Sequence, residues 1–278
     1  MNFSVLMSVY GGDNAQDFKT ALESVTVNQI TKPLQVVIVQ DGIVPPIFDE
    51  IIEEVKQRIF DIEFLILKKS KNEGLAAALN DGLALCKYDW VARMDSDDIS
   101  TPDRFKKQIA FLEENTDISV LGGAIAEFKN IVGDICSERH VKLTHNEIKQ
   151  MAKFRTPMNH VSVMYKRNEI LEVGGYNKNF GKLEDYKLWV DLIIAGKTLA
   201  NIDDVIVNVR IGNGFIIRRS NKQEIADWDM LQNYLLKENV ISKLQALKNK
   251  IYIRIFIYMP AWMKKITYKT LLRKKNRL

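Results

Sequence analysis

Short apolar runs alternate with amphipathic segments through the first half of the chain. Runs rich in Val, Ile and Leu predict buried β-strands at 3–9, 34–39, 63–67, 90–94 and 119–125. Between them, apolar residues at helical spacing predict helices at 16–29, 47–59, 73–86 and 101–114. Strands alternating with helices indicate an α/β fold with a mainly parallel central sheet flanked by helices. The carboxyl ends of such strands meet at one edge, where open α/β sheets bind ligands.

The second half of the chain has a less regular alternation of strand and helix patterns. We expect strands at 161–165 and 205–210, a helix at 184–195, and Lys-rich helical material from about 222 to the end. No internal repeat or low-complexity linker divides the sequence. The pattern therefore predicts one domain over 1–220, with halves at about 1–125 and 126–220, followed by a helical extension at 221–278.

The composition is that of an ordinary globular protein. The chain has 278 residues, 46% hydrophobic and 27% charged, which excludes a disordered chain, a collagen-like fibre and a coiled coil. Two cysteines, Cys86 and Cys136, exclude a disulfide scaffold and a Cys-rich zinc site, and they fit a reducing compartment. We expect no signal peptide and no transmembrane helix, because the first residues resemble a strand and no apolar run approaches the length of a membrane span.

Positive charge is concentrated at the C-terminal end. The net charge is +5, yet seven Lys and Arg and no acid lie between Lys264 and Leu278, so the rest of the chain is slightly acidic. The preceding segment, 251–263, is aromatic, apolar and too short to span a bilayer. This combination predicts a helix with a basic tail lying on an anionic membrane surface, or alternatively a helix packed on the domain with a solvated end. Because the basicity is confined to the tail and no nucleic-acid-binding module is present, we expect no nucleic-acid partner.

The predicted strand at 90–94 ends in a cluster of carboxylates. Asp95, Asp97 and Asp98 follow Arg93 within five positions. In a turn, Asp95 and Asp97 can converge on one hard cation, Mg²⁺ or Mn²⁺, that keeps open positions for diphosphate oxygens. Such crowded acids repel one another unless a cation or hydrogen-bond donors compensate. An Asp-rich turn before the next helix is the alternative.

Two further segments place polar groups at the same sheet edge. Asp41 follows the second predicted strand, where a carboxylate can accept from a base N–H or a ribose hydroxyl. Lys71, Asn72 and Gly74 precede the third predicted helix, whose first backbone N–H groups favour a phosphate or a ribose. An Asp-Gly turn and an ordinary loop-to-helix junction are the structural alternatives.

The second half offers its own candidate residues. Glu184 and Asp185 begin the helix at 184–195, either as a general base facing a cleft or because a helix N-terminus favours acids. Arg218 and Arg219 could neutralise a diphosphate, or they could belong to a solvated face.

Five segments, taken in order and spacing, resemble bacterial glycosyltransferase family 2 with its GT-A fold. They are SVLMSVYGG, VVIVQDG, KNEGLAAALNDGL, WVARMDSDD and GGY…EDYKLWVDLIIAG, and the resemblance covers about 3–219. The segment VRIGNGFIIRR resembles the subgroup that builds O-antigen and exopolysaccharide repeating units, as in amylovoran biosynthesis. The Q-x-x-R-W motif of the family's processive synthases is missing from this sequence, which favours transfer of a single residue. The resemblance implies a nucleotide-binding half over about 1–125 and an acceptor half over about 126–220.

The resemblance also implies residue roles. It implies a nucleotide-sugar site formed by Ser8, Val9, Tyr10, Asp41, Lys71, Asn72, Gly74, Arg93, Asp95, Arg218 and Arg219. The metal ligands that it implies are Asp97, Asp95 and Asp98. Within this set, Asp41 would contact uracil and Asp97 would bind the metal together with the diphosphate. In the acceptor half, the resemblance implies Asp185 as the catalytic base and Glu184 as its acidic neighbour.

One departure from the family pattern concerns the second strand. It ends in QDG where VDD is more usual, so Gln40 and Gly42 flank a single acid. We therefore expect uracil recognition to differ in detail.

The activity implied by the resemblance is inverting and metal-dependent. One hexose, Gal or Glc, would move from a UDP-sugar to a polyprenyl-diphosphate-linked saccharide at the cytoplasmic face of the inner membrane. One alternative is a sugar-1-phosphate nucleotidyltransferase, but its first loop normally carries Arg or Lys, and 10–14 here has neither. The other is a non-catalytic nucleotide-sugar-binding protein, against which Asp95, Asp97 and Asp185 together argue.

Overall fold

The computed structural model describes residues 1–212, 224–260, 262–264 and 267. Its strands are β1 (Phe3–Val9), β2 (Gln35–Gln40), β3 (Glu63–Lys68), β4 (Trp90–Met94), β5 (Ile99–Ser100), β6 (Ile118–Phe128), β7 (Glu138–Arg139), β8 (Met164–Lys166) and β9 (Thr198–Arg210). Its helices are α1 (Ala15–Val25), α2 (Ile47–Gln57), α3 (Leu75–Leu85), α4 (Arg104–Glu114), α5 (His145–Met151), α6 (Arg167–Glu172), α7 (Glu184–Ile194), α8 (Glu224–Lys237) and α9 (Lys243–Tyr258). Short 3₁₀ segments occupy His160–Ser162 and Lys178–Leu183.

One mixed sheet contains these strands in the order β3-β2-β1-β4-β8-β6-β9-β5, with β7 paired to β6. The strands β3, β2, β1 and β4 pair in parallel, so that Val5 lies opposite Val36 on one side and Ala92 on the other. The strand β8 is antiparallel to both β4 and β6, whereas β6 and β9 pair in parallel. The predicted α/β fold with flanking helices is confirmed, and the sheet is parallel in its first half and mixed in its second.

Helices cover both faces of the sheet. Along β1, Val5 and Met7 pack into the apolar layer of α1 and α2, whereas Leu6 packs into the layer of α3 and α7. Because alternate residues of a strand point to opposite faces, a strand buried on both faces needs an unbroken apolar run. The faces of the sheet are therefore closed, and the carboxyl ends of β1, β2 and β4 remain as the open edge.

Two strands of the second half differ from the sequence-based expectation. The segment predicted as a strand at 161–165 is a 3₁₀ turn followed by the short β8. Side chains there take the place of backbone hydrogen bonds between strands. Asn159 Nδ2 donates to Gly123 O of β6 at 2.8 Å, and Ser162 Oγ accepts from Gly123 N at 3.0 Å. The strand predicted at 205–210 is the end of the 13-residue β9, whose polar residues Asp203 and Asp204 concealed its continuity.

The C-terminal helices α8 and α9 pack against each other and against the second half of the domain. Leu231 and Leu235 of α8 are buried, and Asn249 Nδ2 of α9 donates to Gln232 Oε1 at 2.8 Å. An ion pair of 2.8 Å between Glu224 and Lys182 fixes the start of α8. Within the described ranges, no helix has the length and apolar character needed to cross a bilayer.

Candidate active site

Two recesses adjoin at the open edge of the sheet. The first, which we call the edge pocket, has a volume of about 430 Å³ and is lined by Ser8, Val9, Tyr10, Asp13, Asp41, Asn72, Gly74, Leu75, Asp95, Ser96 and Asp97. The second, the inner cavity, has a volume of about 480 Å³ and includes Arg93, Asp98, Arg139, Asn159, His160, Lys182, Glu184, Asp185, Trp228 and Phe256 in its lining. Leu75 and Asp95 line both recesses, so the two share a wall.

Asp41 holds together the two loops that form one side of the edge pocket. Its carboxylate is buried and accepts from the backbone N–H groups of Glu73 at 2.9 Å and Gly74 at 2.8 Å. Gly42 allows the loop after β2 to come this close to the loop before α3. Its φ is +91°, and a Cβ atom there would lie 2.7 Å from Asn72 N. The residue expected to contact uracil thus also fixes the start of α3.

Two residues predicted for the nucleotide-sugar site lie outside the edge pocket. Lys71 extends into solvent, with its side chain 76% exposed and Nζ 3.4 Å from Glu73 Oε1. Arg93 is buried and lines the inner cavity, where its guanidinium makes two hydrogen bonds to the Asp95 carboxylate. Such a bidentate pair fixes the orientation of the carboxylate, so Arg93 positions Asp95 at the wall between the two recesses.

A further carboxylate, Asp13, lies beside the predicted Asp97. Asp13 Oδ2 accepts from Ser96 Oγ at 2.8 Å and from Tyr10 N at 3.1 Å, and desolvation raises the pKa of Asp13. Desolvation, followed by the negative charges of Asp95 and Asp13, raises the pKa of Asp97 to about 6. Asp13 was not among the predicted site residues, because it lies four residues after the end of β1, whereas Asp41 directly follows β2.

Asp98 points away from the edge pocket. It is buried, its Oδ1 accepts from Arg210 N at 2.8 Å, and it lines the inner cavity. Arg210 in turn donates from Nε to Asp97 O at 3.1 Å and forms an ion pair of 2.8 Å with Asp17. Asp98 therefore ties the end of β9 to the acidic loop.

The first turn of α7 presents Glu184 and Asp185 to the inner cavity. Asp185 Oδ1 accepts from Tyr186 N at 2.6 Å, and Thr156 Oγ1 donates to Asp185 Oδ2 at 3.4 Å. Glu184 is buried, and in the described part of the chain its Oε2 has no hydrogen-bond donor. Desolvation, then the charge of Asp185, raises the pKa of Glu184 to about 7. Two carboxyl groups at one wall therefore have different environments, which suits proton transfer.

Other residues of the inner cavity come from distant parts of the chain and were not predicted. They include Arg139, Lys182, Trp228 and Phe256. Arg139 Nη2 donates to Thr156 O at 3.0 Å, and the Trp228 ring lies edge-on to Tyr186 with centroids 6.2 Å apart. These side chains lie in segments that carry no motif, so no sequence signal marked them. The predicted Arg218 and Arg219 lie outside the described residues.

His160 also lines the cavity but is part of its buried frame. His160 Nε2 lies 2.9 Å from the Tyr176 hydroxyl, and the ring is edge-on to Trp189 at 5.8 Å. Desolvation, then the positive charge of Arg93, lowers the pKa of His160 well below its usual value. His160 is therefore a neutral histidine packed among aromatic rings, which is a structural role.

The edge pocket fits a divalent cation that a substrate helps to hold. No cluster of three or more His, Cys, Asp or Glu side chains among the described residues is arranged to hold an ion. Mg²⁺ in phosphate-transferring sites needs only one or two carboxylates, because substrate oxygens and water complete its shell. Asp97 is exposed at the pocket and Asp95 lies at its wall, so these two fit that role. Asp98, bonded to Arg210, does not face this pocket.

Solved glycosyltransferase structures share this fold, and two of them illustrate it. Staphylococcus aureus TarS 1-349 in complex with UDP-GlcNAc superposes with a TM-score of 0.67 at 14% identity, over 96% of this chain and 75% of that one. The mannosyltransferase PcManGT from Pyrobaculum calidifontis, in complex with GDP-Man and Mn²⁺, gives a TM-score of 0.61 at 15% identity, over 96% and 72%. Both likenesses confirm the GT-A type of fold.

Curated relatives match nearly the whole chain. The amylovoran biosynthesis glycosyltransferase AmsE of Erwinia amylovora is 33% identical over 92% of this chain and 90% of its own. The UDP-Gal:alpha-D-GlcNAc-diphosphoundecaprenol beta-1,3-galactosyltransferase of Escherichia coli is 33% identical over 98% and 97%. The family model "Glycosyl transferase family 2" matches residues 4–173. The chain therefore belongs to glycosyl transferase family 2, and it is a glycosyltransferase similar to those that build bacterial polysaccharide repeating units.

Proposed function

We propose that this protein transfers one hexose, Gal or Glc, from a UDP-sugar to a polyprenyl-diphosphate-linked saccharide during O-antigen or exopolysaccharide repeat-unit synthesis. The observation that carries the proposal is the shared wall between the two recesses. Asp95 faces both the edge pocket, with its acidic loop, and the inner cavity, with Glu184 and Asp185. A donor in one recess and an acceptor in the other would meet at that wall.

The edge pocket suits the UDP part of the donor. Tyr10 is half exposed at its rim and offers an aromatic face to a base, beside the main chain of Ser8 and Val9. Gly74 and Leu75 bring the N-terminus of α3 to the same pocket, where backbone N–H groups and the helix dipole favour phosphate or ribose oxygens. Lys71 lies outside this pocket, so in this proposal it does not contact the donor directly.

A divalent cation, Mn²⁺ or Mg²⁺, bound by Asp97 with Asp95 beside it, would supply the positive charge that stabilises UDP as it leaves. The protein's own groups have distinct parts in the reaction. Arg93 keeps the Asp95 carboxylate at the wall through its two hydrogen bonds. Asp98 is left out of the proposed ligand set because it lines the inner cavity and not the edge pocket.

Asp185 is the proposed general base. It would take the proton from an acceptor hydroxyl as that oxygen attacks the anomeric carbon of the donor. Attack from the face opposite to UDP breaks the anomeric carbon–oxygen bond in one displacement and inverts the configuration. An α-linked UDP-hexose would then give a β-linkage. Negative charge at Asp95, Glu184 and Asp185 would favour the positive charge that develops on the sugar ring.

The acceptor proposed here places the protein at a membrane. One of the relatives acts on an acceptor whose name includes diphosphoundecaprenol, a lipid carrier. We propose a peripheral association with the cytoplasmic face of the inner membrane, helped by the basic residues between Lys264 and Leu278. No nucleic-acid partner is part of the proposal.

The test is a transfer assay with defined substrates. Purified protein is incubated with Mn²⁺, with UDP-Gal, UDP-Glc or UDP-GlcNAc, and with a synthetic GlcNAc- or GalNAc-diphosphate lipid. We expect one hexose added in β-linkage, seen by mass spectrometry and by the anomeric coupling constant, with loss of product in EDTA. Release of UDP without transfer to any acceptor, or an α-linked product, would contradict the proposal. Formation of UDP-sugar from a sugar 1-phosphate and UTP would indicate the nucleotidyltransferase instead.

A further inference from the structure

The outward face of α9 is apolar along its whole length. Exposed apolar side chains recur at intervals of three or four residues, which places them on one side of the helix. They are Leu244 (61% exposed), Leu247 (56%), Ile251 (47%), Ile255 (54%) and Tyr258 (62%), and we call them the α9 stripe. Exposed apolar side chains scattered singly need no explanation, but a continuous row marks an interaction surface.

The stripe does not result from a loosely attached helix. On the opposite side of α9, Ala246, Asn249 and Ile257 are buried against the domain. Asn249 Nδ2 also donates to Lys153 O at 2.8 Å, and Arg254 pairs with Asp229 of α8. These contacts fix which face of α9 meets the domain. The stripe is therefore held outward by the fold.

Charge and aromatic residues around the stripe indicate what covers it. The helix contains no acidic residue, and Lys243 and Lys248 are exposed on the same side. Tyr252 and Trp262 are 67% and 64% exposed nearby, and amphipathic aromatic rings favour the boundary between lipid and water. Lys264 is buried and donates to Ile257 O, and six Lys and Arg without an acid follow it in the sequence. An apolar row bordered by lysines and aromatic rings complements an anionic lipid surface.

A second copy of the chain is a poorer occupant. In a two-fold dimer, each patch meets an identical patch, so two helices that carry lysines and no acid would face each other. Like charges brought together at an interface oppose association. A lipid surface with anionic head groups supplies the missing negative charge and accepts the apolar side chains as well.

We propose that the α9 stripe lies on the surface of an anionic bilayer and brings the inner cavity to the lipid that carries the acceptor. Phe256 extends from α9 into the lining of the inner cavity, so one helix would contact both the membrane and the acceptor site. The idea that this contact serves acceptor binding rests on the proposed function. The contact between the α9 stripe and the bilayer does not depend on that function. The sequence pattern predicted a membrane contact only from 251 onward, and the stripe extends it one and two turns earlier, to Leu247 and Leu244.

The test compares two variants of the full chain. L247E/I251E/I255E places three carboxylates in the stripe, and F60S/I131S removes two apolar side chains of even higher exposure elsewhere, 90% and 74%. Both are mixed with vesicles of phosphatidylcholine alone or with about a quarter phosphatidylglycerol, and bound protein is measured by sedimentation. Circular dichroism, thermal unfolding and UDP binding are recorded for both, since neither variant touches the edge pocket.

We expect the wild type and F60S/I131S to bind the anionic vesicles, with binding weaker in high salt and on phosphatidylcholine alone. The stripe variant should lose about tenfold or more of its vesicle affinity with unchanged unfolding temperature. Equal binding by both variants would overturn the inference, as would a wild-type dimer in sedimentation equilibrium that the stripe variant abolishes.

A transfer assay separates this inference from the proposed function. With a short-chain acceptor in solution, the stripe variant should retain wild-type turnover, and with the acceptor embedded in vesicles it should lose about tenfold or more. If vesicle binding depends on the stripe but no acceptor is ever glycosylated, the membrane surface stands and the proposed reaction fails. If transfer occurs equally to embedded and dissolved acceptors with both variants, the reaction stands and the membrane surface fails.

Discussion

The edge pocket and the inner cavity differ in how the chain assembles them. The edge pocket is formed by loops that directly follow β1, β2 and β4, together with the start of α3. The inner cavity gathers side chains from Leu75 to Phe256, contributed by the mixed half of the sheet, α7 and the C-terminal helices. A site at the ends of consecutive parallel strands can be located from local motifs, whereas a site built from distant segments depends on packing that no motif describes.

The largest expected effects are on kcat, and they distinguish the two recesses by whether UDP binding changes as well. We expect Asp185→Asn to lower kcat by about 10²–10⁴, because an amide cannot accept the acceptor proton, while the Kd for UDP with Mn²⁺ stays unchanged. Asp97→Ala should also lower kcat by about 10²–10³, but with weaker Mn²⁺-dependent UDP binding as well. Turnover assays and calorimetric titration with UDP measure the two quantities.

Thermal unfolding is the control for this pair, since both side chains lie at the lining of open recesses. A normal kcat in Asp185→Asn would remove that residue from the mechanism. Loss of UDP binding in Asp185→Asn together with unchanged binding in Asp97→Ala would reverse the assignment of the two recesses to donor and acceptor.

Much of the first half could be predicted because its physics is local. The strands β1, β2 and β4 are buried on both faces, so each appears as an apolar run, and parallel pairing brings their carboxyl ends together. Asp41 and Asp97 therefore arrive at one pocket, as the resemblance implied. Asp98 faces the inner cavity because it accepts a hydrogen bond from Arg210 at the end of β9. The placement of Arg93 depends on how its guanidinium bonds to Asp95. Neither leaves a pattern in the neighbouring sequence.

A backbone substitution tests how rigid the edge pocket must be. Gly42 and Gly133 have φ of +91° and +90°, but an added Cβ meets Asn72 N at 2.7 Å only in the first case. We expect Gly133→Ala to cost about 1–2 kcal/mol of unfolding free energy through backbone strain alone. Gly42→Ala should cost about 1–3 kcal/mol more, because its Cβ atom collides with backbone. Urea unfolding of both variants measures the difference.

The same pair reports on donor binding. Displacement of the Asn72 backbone would disturb the two hydrogen bonds from Glu73 and Gly74 to Asp41, so Gly42→Ala should weaken UDP binding by roughly tenfold. Gly133→Ala should leave it unchanged. Equal UDP affinities in the two variants would mean that the loop before α3 does not shape the donor pocket.

The inner cavity could not be predicted to the same extent. The alternation of β9 is interrupted by Asp203 and Asp204, and the 3₁₀ turn before β8 depends on side-chain bonds to β6. Trp228 and Phe256 reach the cavity only because α8 and α9 pack against the second half of the domain. Helical periodicity predicts that these helices exist, but it cannot state which recess their side chains close.

Trp228 tests whether the C-terminal helices belong to the acceptor site. Its ring lines the inner cavity beside Tyr186, where an indole could pack against a sugar ring. We expect Trp228→Ala to raise the KM for the lipid-linked acceptor by roughly tenfold, with little change in the KM for the UDP-sugar. Trp228→Phe, which keeps an aromatic face, should recover most of the loss. An equal rise in both KM values would indicate a general disturbance rather than acceptor contact.

The smallest effect concerns the charge next to the proposed base. Glu184 has its pKa raised to about 7 by desolvation and by Asp185, with Arg93 and Asp95 also facing it. It is therefore neutral in acid and charged in base, and its negative charge should strengthen Asp185 as a base and favour the positive donor sugar. We expect kcat of the wild type to rise a few-fold through pH 7 from this cause.

Glu184→Gln should remove that rise and keep kcat at the low-pH level across the range. The stability of the wild type should fall as the pH rises, whereas its kcat rises. Because the folded-state pKa of Glu184, about 7, exceeds its ordinary value of 4.5, charging the group opposes folding. The wild type should lose unfolding temperature relative to Glu184→Gln as the pH rises from 4.5 through 7, and the two should converge below 4.5. A kcat profile unaltered by the substitution would mean that Glu184 stays protonated in the working enzyme and that Asp185 acts without its help.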